Sequence, residues 1–169
     1  WGKFFGFSIT SSRVLPIIIS LISLPLMYLL ALELFNSKLV GCLATLFLFF
    51  SPFDIIFSQI ARQYSLLTLF IILSSLFLLK ATKYGRRKDW LLYTITASLG
   101  WYTHLFFGVT LIAQGVFILV IRQSKKIVPF SLSLLSIIIL YLPWLLVLLA
   151  RRETAISLTD WAKASFDII

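Results

Sequence analysis

The chain has 169 residues, 60% of them hydrophobic and 12% charged, with a mean hydropathy of +1.04. These values exceed what the core of a soluble domain of this length needs, so they exclude a soluble protein and indicate a polytopic membrane protein. The net charge of +9 comes from basic residues between apolar runs, which is typical of cytoplasmic loops and argues against nucleic-acid binding. The single cysteine, Cys42, excludes an internal disulfide and a cysteine-based metal cluster.

Apolar runs predict an all-α transmembrane bundle of about six spans, because an isolated segment in lipid must satisfy its own backbone hydrogen bonds. The predicted spans are residues 14–35, 39–50, 63–79, 90–102, 105–121 and 127–149. At 1.5 Å per residue, the first and last reach about 33 Å, enough for a hydrocarbon core of about 30 Å. The second and fourth are short, so they must borrow flanking residues, thin the bilayer or end inside the protein.

Basic residues divide the predicted loops into two kinds. They cluster between the third and fourth spans and between the fifth and sixth, at Lys80, Lys83, Arg86, Arg87 and Lys88 and at Arg122, Lys125 and Lys126. The positive-inside rule makes these loops cytoplasmic, and alternation then places residues 51–62 and 103–104 outside, with both chain ends. Mixed polar side chains gather on that outer side, where we expect any active site. No repeat or linker divides the chain, so we interpret it as one membrane domain.

The polar segment SPFDIIFSQIARQYSL, residues 51–66, places charge between two apolar runs. Ser51, Pro52 and Asp54 predict a helix start, in which the Asp54 carboxylate can reach back to the cap amide. Side chains near hydrocarbon that carry charge usually face a cavity, a partner or a ligand head group. Polar residues continue at helical spacing and predict a stripe along a single helix that enters the membrane: Asp54, Ser58, Arg62 and Ser65.

Arg62 has two open interpretations. Its side chain could snorkel to lipid head groups, or its planar set of donors could bind the phosphate of a ligand. Gln59 and Tyr64 can donate and accept hydrogen bonds, although Tyr64 alone is typical of the interfacial aromatic belt. The occurrence of all three in one segment favours a functional site.

Other polar residues on the predicted outer side are further candidates. His104, the only histidine, could carry a proton or donate to a phosphate, or it could be a turn residue bonded to a neighbouring helix. Arg13, at the start of the first span, is most simply a lipid anchor. Arg151 and Arg152 lie outside against the positive-inside trend, as candidates for an anionic lipid or substrate. On the inner side, we expect Glu33 to pair with a basic loop residue.

Four segments carry a family pattern in their order along the chain. They are Ser12-Arg13-Val14-Leu15-Pro16, then Ser51-Pro52-Phe53 with Ser58-Gln59-Ile60-Ala61-Arg62-Gln63-Tyr64-Ser65, then Tyr102-Thr103-His104 with Ala113-Gln114-Gly115, and finally Leu142-Pro143-Trp144. This ordered set resembles the membrane core of the polyprenyl-phosphate-dependent glycosyltransferases, the GT-C superfamily that includes protein O-mannosyltransferases and aminoarabinose transferases. The resemblance extends from Arg13 to about Trp144.

The resemblance implies transfer of a hexosyl or pentosyl group from a polyprenyl-phosphate carrier to a glycan, lipid or protein acceptor outside the membrane. It implies that Arg62, with Arg13, stabilises charge on the departing phosphate. Gln59 and Tyr64 would position the head group, and His104 would add a donor. The candidate substrate-binding residues are Arg62, Gln59, Tyr64, Arg13, His104 and Asp54. No cofactor is assigned, a divalent metal is left open, and a bacterial inner membrane is the expected location.

Two departures from the family pattern leave alternatives open. Ile60 stands where the family motif usually has glutamate, which removes a carboxylate that could bind metal or order the arginine. The family's acidic general base would lie upstream of Trp1, so we interpret the chain as an internal piece that lacks an N-terminal span and the first external loop. The alternatives are a flippase or transporter of lipid-linked sugars, which needs polar groups along both halves of its spans, and a degenerate relative that binds lipid without chemistry.

Overall fold

The structure is a computed structural model that describes residues 9–59, 62–121 and 124–150, without the side chains of residues 9–12, 59, 124 and 148. These ranges contain seven helices and no strand, which confirms the predicted all-α bundle. The helices are α1 (Ile9–Phe35), α2 (Lys38–Phe49), α3 (Pro52–Gln59), α4 (Tyr64–Tyr84), α5 (Arg87–Thr103), α6 (Phe107–Val120) and α7 (Ser124–Ala150).

Side-chain contacts define two ends of the bundle. Arg62 lies beside Pro16 near the start of α1, whereas Lys83 pairs with Glu33 near the end of α1. Helices α1 and α4 therefore run in the same direction, and the chain returns between them through α2 and α3. We call these the Arg62 end and the basic end. The latter also contains the α4–α5 turn, where Gly85 adopts a left-handed φ of 67°.

The basic connection predicted between the third and fourth spans is shorter than the sequence indicated. Lys80 and Lys83 lie in the last turns of α4, and Arg87 and Lys88 lie in the first turn of α5. Only Gly85 and Arg86 separate the two helices. Long basic side chains extend from helix ends to the membrane surface, so the charge stays at this level although most of it belongs to helices.

The predicted count of six full spans is not confirmed. Three stretches are long and apolar enough to cross a bilayer: Arg13–Phe35, Tyr64–Tyr84 and Lys125–Val147. Helices α2 and α3 qualify only as a pair bent by 54°, either one broken span or a re-entrant loop. Pro52 starts α3 and has no N–H to continue α2, which accounts for this break. Helix α6 has 14 residues, which are too few for an ordinary span, and α5 has 17, which is at the lower limit.

The core lies where α5 and α6 meet α4 and α7. Tyr93, Ala97 and Phe107 are completely buried there. The ring of Phe107 rests directly on the backbone of α5, and a Cβ atom built on Gly100 would lie 2.4 Å from the Cε2 atom of that ring. Only glycine at this position allows α6 to start so close to the end of α5.

A buried amide connects three helices within this core. Tyr93 Oη donates to Gln114 Oε1 at 3.1 Å, and Gln114 Nε2 donates to Ser74 Oγ at 3.1 Å and to Ser75 Oγ at 3.3 Å. These residues belong to α5, α6 and α4. Because a polar group in an apolar interior requires a partner, this network favours a single arrangement of the three helices.

The contact between Gly100 and Phe107 can be tested with two glycine variants. We expect Gly100→Ala to cost about 1–3 kcal/mol, because the added methyl group must displace the buried ring. For a chain of this size that corresponds to a fall in Tm of about 3 °C or more, measured by thermal unfolding in detergent. Gly108→Ala is the matched control, since its Cβ would meet nothing closer than Trp101 Nε1 at 3.9 Å. Equal losses in both variants would contradict this explanation.

Candidate functional site

The start of α3 confirms one part of the prediction for Asp54 and corrects another. The Asp54 N–H donates to Ser51 Oγ at 3.5 Å, as expected for an N-cap serine. The predicted return of the Asp54 carboxylate to the cap amide is wrong. The Ser51 N–H donates instead to the Leu48 carbonyl at 3.1 Å, and the Asp54 carboxylate accepts a hydrogen bond from the hydroxyl of Ser20 on α1. Asp54 thus joins two helices.

The polar stripe predicted along a single helix is also wrong, because the helix is interrupted. Helix α3 ends at Gln59 and α4 begins at Tyr64, so Arg62 lies in the bend between them. The hydroxyl of buried Ser65 donates to the Phe57 carbonyl at 3.3 Å, which satisfies an acceptor at the end of α3. The rings of Phe57 and Tyr64 are 4.4 Å apart and pack across the interruption.

The interruption places Arg62 beside α1. The exposed side chain lines an open cavity of about 280 Å³ together with Leu15, Pro16 and Leu66. Arg13 is exposed about one turn before Pro16, so it lies near the same end of the bundle. In the described ranges the only ion pair is that of Lys83 with Glu33, so Arg62 carries its charge without a carboxylate partner there.

Tyr64 and His104 come together at this end from different helices. Their ring centroids are 5.8 Å apart, and His104 also stacks on Phe106 at 5.2 Å. His104 caps α5 through its N–H, which donates to the Gly100 carbonyl at 3.1 Å. Its Nδ1 accepts from the Phe106 N–H at 3.2 Å, which assigns a neutral ring its proton on Nε2. The predicted turn role is confirmed, but the partner lies within the same turn.

The structure therefore brings Tyr64 and His104 into contact, places Arg62 against α1 at the same end of the bundle, and bonds Asp54 to α1. Asp54 and Ser20 line a separate cavity of about 120 Å³. The side chain of Gln59 lies outside the described residues, as do Ile60, Arg151 and Arg152. Among the residues that are described, no three histidine, cysteine, aspartate or glutamate side chains are grouped as metal ligands.

The sequence did not single out the aromatic neighbours of this site. Phe57 and Phe106 flank Tyr64 and His104 and form a continuous row of rings with them. Phenylalanine is abundant throughout the chain, with 16 occurrences, so neither residue stood out from its surroundings. Their closeness in the sequence to the candidate polar residues was the only feature that could have identified them.

These features define the class of protein, a helical membrane bundle with a cationic and aromatic site at one end. A family model described as dolichyl-phosphate-mannose-protein mannosyltransferase matches residues 2–147, and the chain belongs to that family. The match confirms the resemblance to the membrane glycosyltransferases of the GT-C superfamily. Comparisons with curated proteins and with solved structures gave no match.

The bond between Ser20 and Asp54 can be measured with a double-mutant cycle. We expect Ser20→Ala and Asp54→Ala each to lower the free energy of unfolding, with a coupling of about 1–3 kcal/mol, because each variant removes one partner of a hydrogen bond to a carboxylate. Urea unfolding in detergent micelles would give the four values. Ser58→Ala is the control, since its hydroxyl bonds to the Ile55 carbonyl within α3. Strictly additive effects of Ser20→Ala and Asp54→Ala would contradict the bond.

Proposed function

We propose that this protein transfers a sugar from a polyprenyl-phosphate carrier to an acceptor on the extracytoplasmic side of the membrane. The observation that carries the proposal is the position of Arg62. Its exposed guanidinium lies beside an open cavity, at the end of the bundle opposite the basic residues. The positive-inside rule supports an extracytoplasmic location for that end. Membership of the mannosyltransferase family supports glycosyl transfer as the reaction.

The chemistry of the transfer gives a role to an arginine that has no carboxylate partner among the described residues. The bond between the anomeric carbon and the phosphate oxygen breaks, and a bond from the acceptor oxygen to that carbon forms. The electron pair of the broken bond stays on the phosphate, while the acceptor proton passes to a base that we assign to no described residue. Arg62 can stabilise the growing negative charge with two parallel N–H donors, in a site that lipid keeps partly dry.

His104 and Tyr64 suit supporting roles at the same phosphate. With Nδ1 accepting from Phe106, the free Nε2–H of His104 is a hydrogen-bond donor. The His104 ring contacts the ring of Tyr64, so His104 lies beside the start of α4. Tyr64 would position the head group through its hydroxyl. Neither role requires the imidazole to change its protonation state.

An apolar groove in the bundle supports the proposal that the sugar donor is carried on a polyprenyl chain and that the protein does not transport a free sugar. The groove measures about 470 Å³ and lies between α1, α4 and α6, lined by residues such as Leu30, Ile71 and Phe117. Its wall contains three polar residues, Ser75, Thr110 and Gln114, of which Ser75 and Gln114 are bonded to each other at 3.3 Å. Because the rest of the wall is apolar and two of its three polar residues already have a partner, the wall suits a hydrocarbon chain better than the hydroxyl groups of a sugar.

Substitution of Arg62 tests the proposal directly. In the intact protein reconstituted in vesicles, we expect Arg62→Ala to lower the rate of sugar transfer from a polyprenyl-phosphate donor roughly 100-fold, the usual effect of removing one donor to developing charge. Arg62→Lys should lose less, because it keeps the charge but not the paired donors. The measurement is the initial rate of formation of glycosylated product.

Arg87→Gln serves as the control, because Arg87 is an exposed arginine at the opposite end. Unchanged transfer in Arg62→Ala would contradict the assigned role. Movement of the donor across the vesicle membrane without any transfer product would contradict the enzyme and favour a transporter.

Substitution of His104 separates its turn role from its donor role. His104→Asn keeps an acceptor for the Phe106 N–H, so we expect its Tm to stay close to that of the wild type. It lacks the Nε2–H donor, so transfer should fall about 10-fold or more. His104→Leu loses both the acceptor for the Phe106 N–H and the Nε2–H donor, so it should also unfold at a lower temperature. Full transfer activity in His104→Asn would show that the histidine serves the turn alone.

A further inference from the structure

The basic end contains a cavity that the proposed transfer does not use. Its volume is about 460 Å³, and its lining is mostly charged or polar: Glu33, Lys80, Tyr84, Arg86, Lys88 and Asp89. It lies where α4 ends and α5 begins, at the opposite end of the bundle from Arg62. Because the apolar helices stop at this level, the cavity is at the depth of lipid head groups.

Asp89 is the most unusual group in this cavity. The residue is only 4% exposed, and its Oδ2 atom has no hydrogen-bond partner. Within the described residues, no basic side chain lies within 4.0 Å of its carboxylate. The first turn of a helix favours a negatively charged residue such as Asp89, but the N–H groups of this turn donate no hydrogen bond to Asp89 Oδ2. A buried polar atom without a hydrogen bond costs free energy, so a ligand donor that reached this oxygen would stabilise the folded chain.

The other acid in the cavity already has partners. Glu33 Oε1 lies 2.9 Å from Lys83 Nζ and accepts from Tyr84 Oη at 2.8 Å. Arg86 stacks over the ring of Tyr84, with its Cζ 5.1 Å from the ring centroid. Lys80 and Lys88 line the same space, and in the described ranges neither is within ion-pair distance of a carboxylate. The cavity therefore combines one unsatisfied acid with a group of free cations.

We propose that this cavity binds the head group of an aminophospholipid. The lipid ammonium donates to Asp89, and the lipid phosphate accepts from Lys80, Arg86 and Lys88. Both charges of such a head group thus meet their complement in the cavity. Phosphatidylglycerol offers Asp89 only neutral hydroxyl donors and no positive charge, and a choline head group has no N–H to give. This proposal is independent of the glycosyl-transfer proposal, because it concerns the other end of the bundle.

Lipid retention by the purified full chain tests the site. Delipidated protein in detergent is incubated with phosphatidylethanolamine, phosphatidylglycerol or phosphatidylcholine, and bound lipid is counted by native mass spectrometry together with Tm. We expect phosphatidylethanolamine to be retained about tenfold more than either other lipid, and to raise Tm most, because a ligand that binds only the folded state stabilises it. Equal retention of the three lipids would overturn the proposal.

Variants of the lining residues identify the contacts. Asp89→Asn should abolish the preference for phosphatidylethanolamine over phosphatidylglycerol, while Arg86→Gln and Lys88→Gln should lower retention of both. Arg87→Gln is the matched control, because Arg87 lies between those two residues in sequence but lines a different cavity with Gly85 and Trp90. A preference that persists in Asp89→Asn, or an equal loss in Arg87→Gln, would overturn the assignment.

Two measurements on the wild-type chain cover the case in which Asp89→Asn fails to fold. The preference among the three lipids needs no variant. Glycerophosphoethanolamine, which carries the same head group without acyl chains, should give no shift in Tm at the concentration at which the lipid does. If glycerophosphoethanolamine raised Tm as much as the lipid does, the ligand would be a soluble phosphorylated amine and not a membrane lipid, and the proposal would be overturned.

Discussion

The amide of Gln114, buried between α4, α5 and α6, holds the bundle in one arrangement. It bonds to Tyr93 on one side and to Ser74 and Ser75 on the other. In an apolar interior each of these groups would be costly without its partner, so a helix cannot slide by a turn without breaking the network. The arrangement sets where α6 begins, and the turn before α6 carries His104 to Tyr64.

The two ends of the bundle carry different polar chemistry. At the Arg62 end, the exposed Arg62 guanidinium lines an open cavity and a row of aromatic rings lies nearby along the chain, and in the proposed reaction this guanidinium would stabilise a phosphate that gains charge. At the basic end, several cations surround one buried acid, which suits a head group that carries both charges at all times. Chemistry at one end and lipid binding at the other need not share any residue.

The sequence predicted where helices form more accurately than where they break. Apolar runs located the long helices to within a few residues, and Ser51 with Pro52 located the start of α3. The interruption before Tyr64 was missed, because polar residues continue at helical spacing through Arg62 and neither glycine nor proline marks the site. A hydrogen bond across the break accompanies it, since the Ser65 hydroxyl donates to the Phe57 carbonyl on the preceding helix. The six spans that hydropathy predicted are not confirmed, since in the described residues only three or four helical stretches are long and apolar enough to cross a bilayer.

Local and compositional signals were thus sufficient for the helical membrane bundle, its basic end and the helix start at Pro52, while the family rested on the resemblance of an ordered set of motifs. Hydropathy, charge and helix capping depend on residues that are neighbours in the chain, so they can be identified from the amino-acid sequence alone. The sequence did not reveal the partner of Asp54, the contact of Tyr64 with His104, or that the buried Asp89 Oδ2 has no hydrogen-bond partner among the described residues. Ser20 and Asp54 are 34 residues apart, and which distant side chains meet depends on how the helices pack. Packing therefore decided which polar residues became a site and which became structural contacts.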